Sequence, residues 1–236
     1  MNLLALDSAT AACSVAVWAD GALIAHRFEA MQRGQSEALM PMVQGAMADA
    51  GVAFGALDAL AVTVGPGAYT GVRIGLAAAR GLALAGGLPL VGVTTLEAVA
   101  RAVHDTAGRR GLAGRALVVA LETKRADIYL QAFAADLKPL GEPMAVAPEA
   151  ATLPAGPIAV AGDGAGRLLA CLGDGADAVR VGGPRQDFPD AAVVAAIAAA
   201  RIAADENTLR QPPPRPLYLR PPSVTLAPDR GRLRPP

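Results

Sequence analysis

A chain of 236 residues with 53% apolar side chains can bury one large core or two small ones. Aromatic side chains are only 3% of it, so the core must be built from Ala, Val, Leu and Ile, and the base-stacking platforms of single-strand RNA binders are not expected. The formal charge is zero but uneven: residues 211–236 hold five arginines and one aspartate, +4, which leaves −4 for the body and makes the body alone a poor nucleic-acid platform.

In chain order, residues 3–6 read as a buried strand. Residues 13–18 and 23–28 flank Ala19-Asp20-Gly21 and read as a hairpin. A helix is expected over 36–50 with Ser36 as its N-cap, then a strand over 60–64. A helix over 70–85, stopped by Gly86 and Gly87, leads to a strand over 88–93. Thr94 and Glu97 have capping-box spacing and open a third helix. The order is βββαβαβα. The second half repeats it more weakly: strands over 116–121, 128–133 and 144–147, a weak helix over 148–153, a strand over 158–161, a short helix over 166–172, a strand over 178–181 and an alanine-rich helix over 190–204.

Ala5-Leu6-Asp7-Ser8 parallels Ala120-Leu121-Glu122-Thr123, and the strand entering Gly65-Pro66-Gly67 parallels the one entering Gly162-Asp163-Gly164. The expected fold is therefore α/β, two ribonuclease H-like halves of the actin-like ATPase type. Each half has a mixed five-stranded sheet, and the second is reduced. The expected units are 1–107, 113–206 and an arm over 207–236. The last 26 residues contain nine prolines, which suits an arm or a disordered tail.

Two cysteines far apart, Cys13 and Cys171, fit a reducing cytosol, and nothing at the N-terminus reads as a signal peptide. The uncharged run 81–96 is broken by Gly86, Gly87 and Pro89, so no membrane span is expected. His26 and His104 have no ligand spacing, and no Ser-His-Asp arrangement is present, so neither a metal nor a peptidase site is indicated.

Asp7, Ser8 and Thr10 at the end of the first strand, with Gly65 and Gly67, are candidates for a phosphate site of an actin-like ATPase or small-molecule kinase. The same residues read first as a polar strand end and a tight turn. No Lys-Ser/Thr pair follows the glycines, so they form no Walker-type loop. The helix over 70–85 carries only Arg73 and Arg80 as charges, on one stripe, and is expected to be buried nearly all round. Gly71, Gly75 and Ala79 at spacing four suggest the close approach of another helix. Leu39, Met40 and Met47 on the first helix, with Arg73, Ile74, Leu76 and Arg80 on the second, are the expected partner face, with Arg73 and Arg80 forming ion pairs across it.

Gly65-Pro66-Gly67-Ala68-Tyr69-Thr70-Gly71-Val72-Arg73-Ile74-Gly75 resembles the signature of the TsaB family of tRNA threonylcarbamoyladenosine biosynthesis proteins. The opening Leu4–Val17 stretch, Ser36–Met42, Gly92–Leu96 and Arg215-Pro216-Leu217-Tyr218-Leu219-Arg220 resemble it too, in family order. The resemblance implies a cytoplasmic, non-catalytic partner of a TsaD-like catalytic subunit and a TsaE-like ATPase, forming a homodimer in isolation and meeting tRNA indirectly through the complex. It implies no intrinsic cofactor, with ATP or ADP as a candidate at the interface with the catalytic subunit. Two positions depart from the family pattern: Gln35 stands where His is usual, and Glu122-Thr123-Lys124 where Asp-Ala-Arg is usual.

Overall fold

The computed structural model describes residues 1–173 and 175–220; for 107–111 it describes the backbone alone. The first sheet takes β1 (Leu3–Asp7), β2 (Ala12–Ala19), β3 (Ala22–Ala30), β4 (Ala59–Thr63) and β5 (Leu90–Val93) in the order β3-β2-β1-β4-β5. The second takes β6 (Ala116–Glu122), β7 (Ile128–Phe133), β8 (Met144–Val146), β9 (Ile158–Ala161) and β10 (Ala178–Arg180) in the order β10-β9-β6-β7-β8. The two orders are the same topology. In each, an antiparallel three-stranded meander is extended by two parallel strands on the far side of the first strand. The chain is thus an α/β protein of two mixed five-stranded sheets with helices.

The helices are α1 (Gln35–Ala50), α2 (Tyr69–Gly86), α3 (Thr95–Gly111), α4 (Ala165–Ala170) and α5 (Ala191–Ala204). The weak helix expected over 148–153 is a single 3-10 turn, Pro148–Ala150. At the start of α1 the cap is Gly34, left-handed at φ 100°, and no side chain caps the helix; Ser36 lies inside the first turn. Thr94 caps α3 by accepting from Glu97 N at 3.1 Å, but the Glu97 side chain does not fold back to complete the box. Its carboxylate takes both contacts from Arg201 of α5 at 2.6 Å, and Arg201 also donates to Gly92 O of β5.

Alternation along β1 sends Leu4 and Leu6 toward α1 and α2, and Leu3 and Ala5 toward α5. Leu117, Val119 and Leu121 of β6 face α3, while Val118 and Ala120 face α4. The helices are therefore exchanged relative to chain order. Helix α3, although it follows β5, covers the second sheet, and α5, from the end of the second half, covers the first. The physical reason is in the side chains. The alanines of α5 allow its backbone close to β1 and β2, whereas Leu96, Val99 and Val103 give α3 a bulky stripe that fills the space over Leu117, Leu121 and Phe133. Helices α3 and α5 also touch each other, so a pair of helices bridges the two sheets.

Residues 211–220 are not a loose arm. Leu217 N donates to Val64 O at 2.7 Å, the Leu217 side chain packs on the first core, and Pro214 sits where a side chain on Gly92 would be. Residues 221–236 lie outside the described residues. Among the described residues, no helix is long and apolar enough to cross a membrane.

Candidate functional site

Asp7, at the end of β1, is fully buried. Its Oδ1 accepts from Thr63 Oγ1 at 2.5 Å and from Ala9 N at 3.2 Å, while its Oδ2 has no partner. Burial above all, with the nearby Asp190 charge adding to it, pushes this carboxyl up to about 7 against the pull of those two hydrogen bonds. Asp7 does not line the cleft. Ser8 is also buried and donates to Gly71 O at 2.9 Å, which ties the loop after β1 to the first turn of α2.

The glycines explain how that loop comes so close. A Cβ on Gly67 would stand 2.2 Å from Ala9 O, one on Gly71 2.3 Å from Ser8 O, and one on Gly75 2.9 Å from Ser8 Oγ. What packs on the glycine stripe of α2 is therefore the loop after β1, not another helix. The carbonyls of the Gly-Pro-Gly turn are also engaged: Gly65 O accepts from Thr95 N at 2.9 Å and Pro66 O from Thr95 Oγ1 at 2.6 Å. Gly65 itself needs its freedom, at φ 99° with Leu217 O 3.0 Å from a Cβ placed there. The second half uses the same device. Gly162, at φ 96°, would bring a Cβ to 2.2 Å from Ala120 O.

Between the halves lies a cavity of about 330 Å³, lined on one side by Thr10, Arg33, Gly67 and Thr70, and on the other by Lys124 and Asp163. The Thr10 hydroxyl has no partner. Lys124 reaches across to Gln32 Oε1 at 2.7 Å. Asp163 accepts from Glu122 N at 2.9 Å, and burial, partly offset by that bond, pushes it up to about 6. Glu122 pairs with Arg167 at 2.8 Å. Of the phosphate candidates, Thr10 and Gly67 reach the cavity, while Asp7, Ser8 and Gly65 do not line it. Among the described residues, no three His, Cys, Asp or Glu side chains gather as a metal site needs.

The partner-face candidates divide. Leu39 and Leu76 are core residues, 1% and 3% exposed, because both project from their helices onto β1 and β4; they are not surface residues. Met47 and Ile74 are half-buried, and Met40 is exposed. Helix α2 is not buried all round. Tyr69, Arg73, Ala77, Arg80, Gly81 and Leu84 form an exposed outer stripe, with Leu84 87% exposed. Its two arginines are engaged within the chain. Arg80 donates to Pro214 O at 2.6 Å and Arg73 to the Tyr218 hydroxyl at 2.7 Å. The Arg73 guanidinium lies 3.6 Å over the Tyr69 ring. Sequence reasoning missed Tyr69 and Tyr218 as a pair and Arg220, which bridges from the arm to Asp127 of the second half. The signal was the Tyr218-Leu219-Arg220 segment, whose partners lie 93 or more positions away.

A family model described as TsaD, tRNA N6-adenosine threonylcarbamoyltransferase, matches residues 28–173, more than half of the chain. The tRNA threonylcarbamoyladenosine biosynthesis protein TsaB of Escherichia coli K12 is 41% identical over 129 residues, 55% of this chain and 53% of that protein. TsaB of Haemophilus influenzae is 35% identical over 129 residues, 55% of this chain and 52% of that protein. The chain thus spans about half the length of these curated relatives. Among solved structures, a Pseudomonas aeruginosa protein described as similar to peptidase YeaZ superposes with a TM-score of 0.77 at 28% identity, covering 93% of this chain and 99% of the other. YeaZ from the same organism gives 0.76 at 27% identity, covering 92% and 99%. The chain belongs to the TsaD family and, within it, is similar to the TsaB proteins.

Proposed function

We propose that this chain works in tRNA threonylcarbamoyladenosine biosynthesis as a non-catalytic subunit that docks a TsaD-type catalytic subunit through the outer face of α2 from Ala77 to Leu84. The family match and the TsaB relatives support the pathway, and the α2 face supports the docking role. The observation that carries it is the exposed run Ala77, Gly81 and Leu84. These are small or apolar residues on a helix whose only two charges are already bound within the chain. Met40 on the neighbouring α1 extends the face with an adaptable side chain.

A TsaE-type ATPase, self-association in isolation, tRNA met through the complex, an adenine nucleotide at the subunit interface and a cytoplasmic setting belong to the same proposal. Against an independent ATPase stands the packing of the two loops. Ala9 O and Ser8 O occupy the space beside Gly67 and Gly71 that a phosphate cradle would need.

Ala77→Glu and Leu84→Glu put a charge on this face without entering the core. Each is expected to weaken co-purification with the TsaD-type subunit at least tenfold while leaving the thermal midpoint nearly unchanged. Undiminished complex formation by both variants would refute the assigned face.

A further inference from the structure

The body is acidic overall, yet several cations gather around one cavity. Arg33, from the loop before α1, and Lys124, at the tip of the β6–β7 turn, line the same cavity from opposite halves. Arg220 sits beside that turn, paired with Asp127 and 3.5 Å from Thr123 Oγ1. It is near enough to Arg125 that, after burial, the Arg125 charge is the second influence lowering its basicity. Two residues before Arg220, Tyr218 meets Arg73, less than one helical turn beyond the cavity-lining Thr70 and Gly71. The acids here are largely answered. Asp127 is paired with Arg220; Glu122, which lines the cavity, is paired with Arg167; and Asp163, pushed up to about 6, lines it as well.

The second observation is aromatic. Tyr69 and Tyr218 are 42% and 39% exposed, with ring centroids 5.1 Å apart and the Arg73 guanidinium against them. A chain with only three tyrosines places two of them, side by side and half open, next to the cationic rim. Carboxylates of an acidic protein need the cations but not the ring faces; a nucleotide chain uses both, phosphates on the guanidinium and ammonium groups and bases on the rings.

We propose that the rim formed by Arg33, Lys124, Arg125, Arg220 and Arg73 binds the phosphate backbone of RNA, with the Tyr69–Tyr218 pair as a place for an unpaired base to stack. This rests on the reading of the chain as a subunit of a tRNA-modifying assembly and gives it a direct contact with the substrate, where that reading alone has tRNA met only through the partner.

The test uses a fluorescently labelled, unmodified tRNA transcript, titrated with the full chain alone and with its complex with the catalytic subunit, at several salt concentrations. In the R33E/K124E variant, both changes are at the cavity mouth and off the α2 face. The expected result is at least a tenfold loss of tRNA affinity, a log–log salt slope shallower by about 2, unchanged complex formation and an unchanged melting midpoint. The milder R33Q/K124Q variant removes the same two cations, so its slope is expected to be shallower by about 2 as well, with a smaller loss of affinity because no negative charge is added. Unchanged tRNA affinity and slope in both variants overturn the proposal, as does the absence of measurable tRNA binding by the wild-type chain in both settings. Loss of binding to polyglutamate without loss of tRNA binding also overturns it and assigns the rim to an acidic protein. If the wild-type chain forms no complex, the subunit reading fails, while the titration of the chain alone still decides the RNA proposal.

Discussion

Alanine at Gly71 or Gly67 is expected to destabilise the protein by about 2–3 kcal/mol each, the upper part of the range for forcing extra atoms into a packed site. At Gly71 the new methyl would stand 2.3 Å from Ser8 O, and at Gly67 2.2 Å from Ala9 O. Both contacts are with backbone, which cannot turn aside as a flexible side chain does. Ser8 Oγ and Ala9 O are also hydrogen-bonded to this segment, so moving the loop breaks Ser8–Gly71 and Ala68–Ala9. Gly81, in the same helix, supplies the control. A Cβ there meets nothing within 4 Å, so Gly81→Ala should gain up to about 1 kcal/mol from helix propensity alone. Urea denaturation of the three variants checks the contrast. Equal effects at Gly71 and Gly81 would mean that the loop after β1 does not rest on α2.

Asp7→Asn is expected to make stability less dependent on pH. The folded-state pKa of Asp7 is raised from 3.8 to about 7, so the folded protein holds this proton more tightly than the unfolded chain. The sign follows. Stability is greatest below pH ~4, where both states are protonated, and is lost as pH rises to about 7, where the buried carboxylate must carry its charge. At ~1.4 kcal/mol per pKa unit, the upper bound on this loss is about 4 kcal/mol. Asn keeps an oxygen for Thr63 and Ala9 but never ionises. Its stability relative to wild type should therefore rise by about that amount between pH 4 and pH 8, with Asp163 and the other acids cancelling in the comparison. Parallel stability–pH curves for the two proteins would show that Asp7 has no such raised pKa. If Asp7 instead served phosphate chemistry, Asn would abolish ATP turnover by the isolated chain.

Much of the fold was legible because its local rules are strong. Alternating apolar strands, the Asp20-Gly21 turn, Thr94 as a cap and the glycines closing α2 each fix an element from neighbouring residues. The repeated order βββαβαβα gave the two sheets. Their matching strand orders follow from it, because each parallel pair needs a helical crossover and each meander needs only turns.

Less of the candidate site was legible. Leu39 and Leu76 sit at positions where helical periodicity alone cannot say which of two apolar stripes meets the sheet. The amphipathic contrast that usually settles this is missing from a helix with two charges. The glycines at 67, 71 and 75 announced a close approach, but not what approaches.

The sequence by itself determined the element order, the duplicated sheet topology and the family, since these rest on local propensity and on motifs contiguous in the chain. Only the tertiary structure decided that α3 and α5 exchange sheets, that the glycine stripe seats the loop after β1, and that Arg73, Arg80 and Arg220 hold the C-terminal arm across both halves. Those arrangements rest on contacts such as Ser8–Gly71, Arg73–Tyr218 and Ser14–Ala191 and on how Ala-rich and Leu-rich helices fill the space between two sheets, and no local pattern encodes that fit.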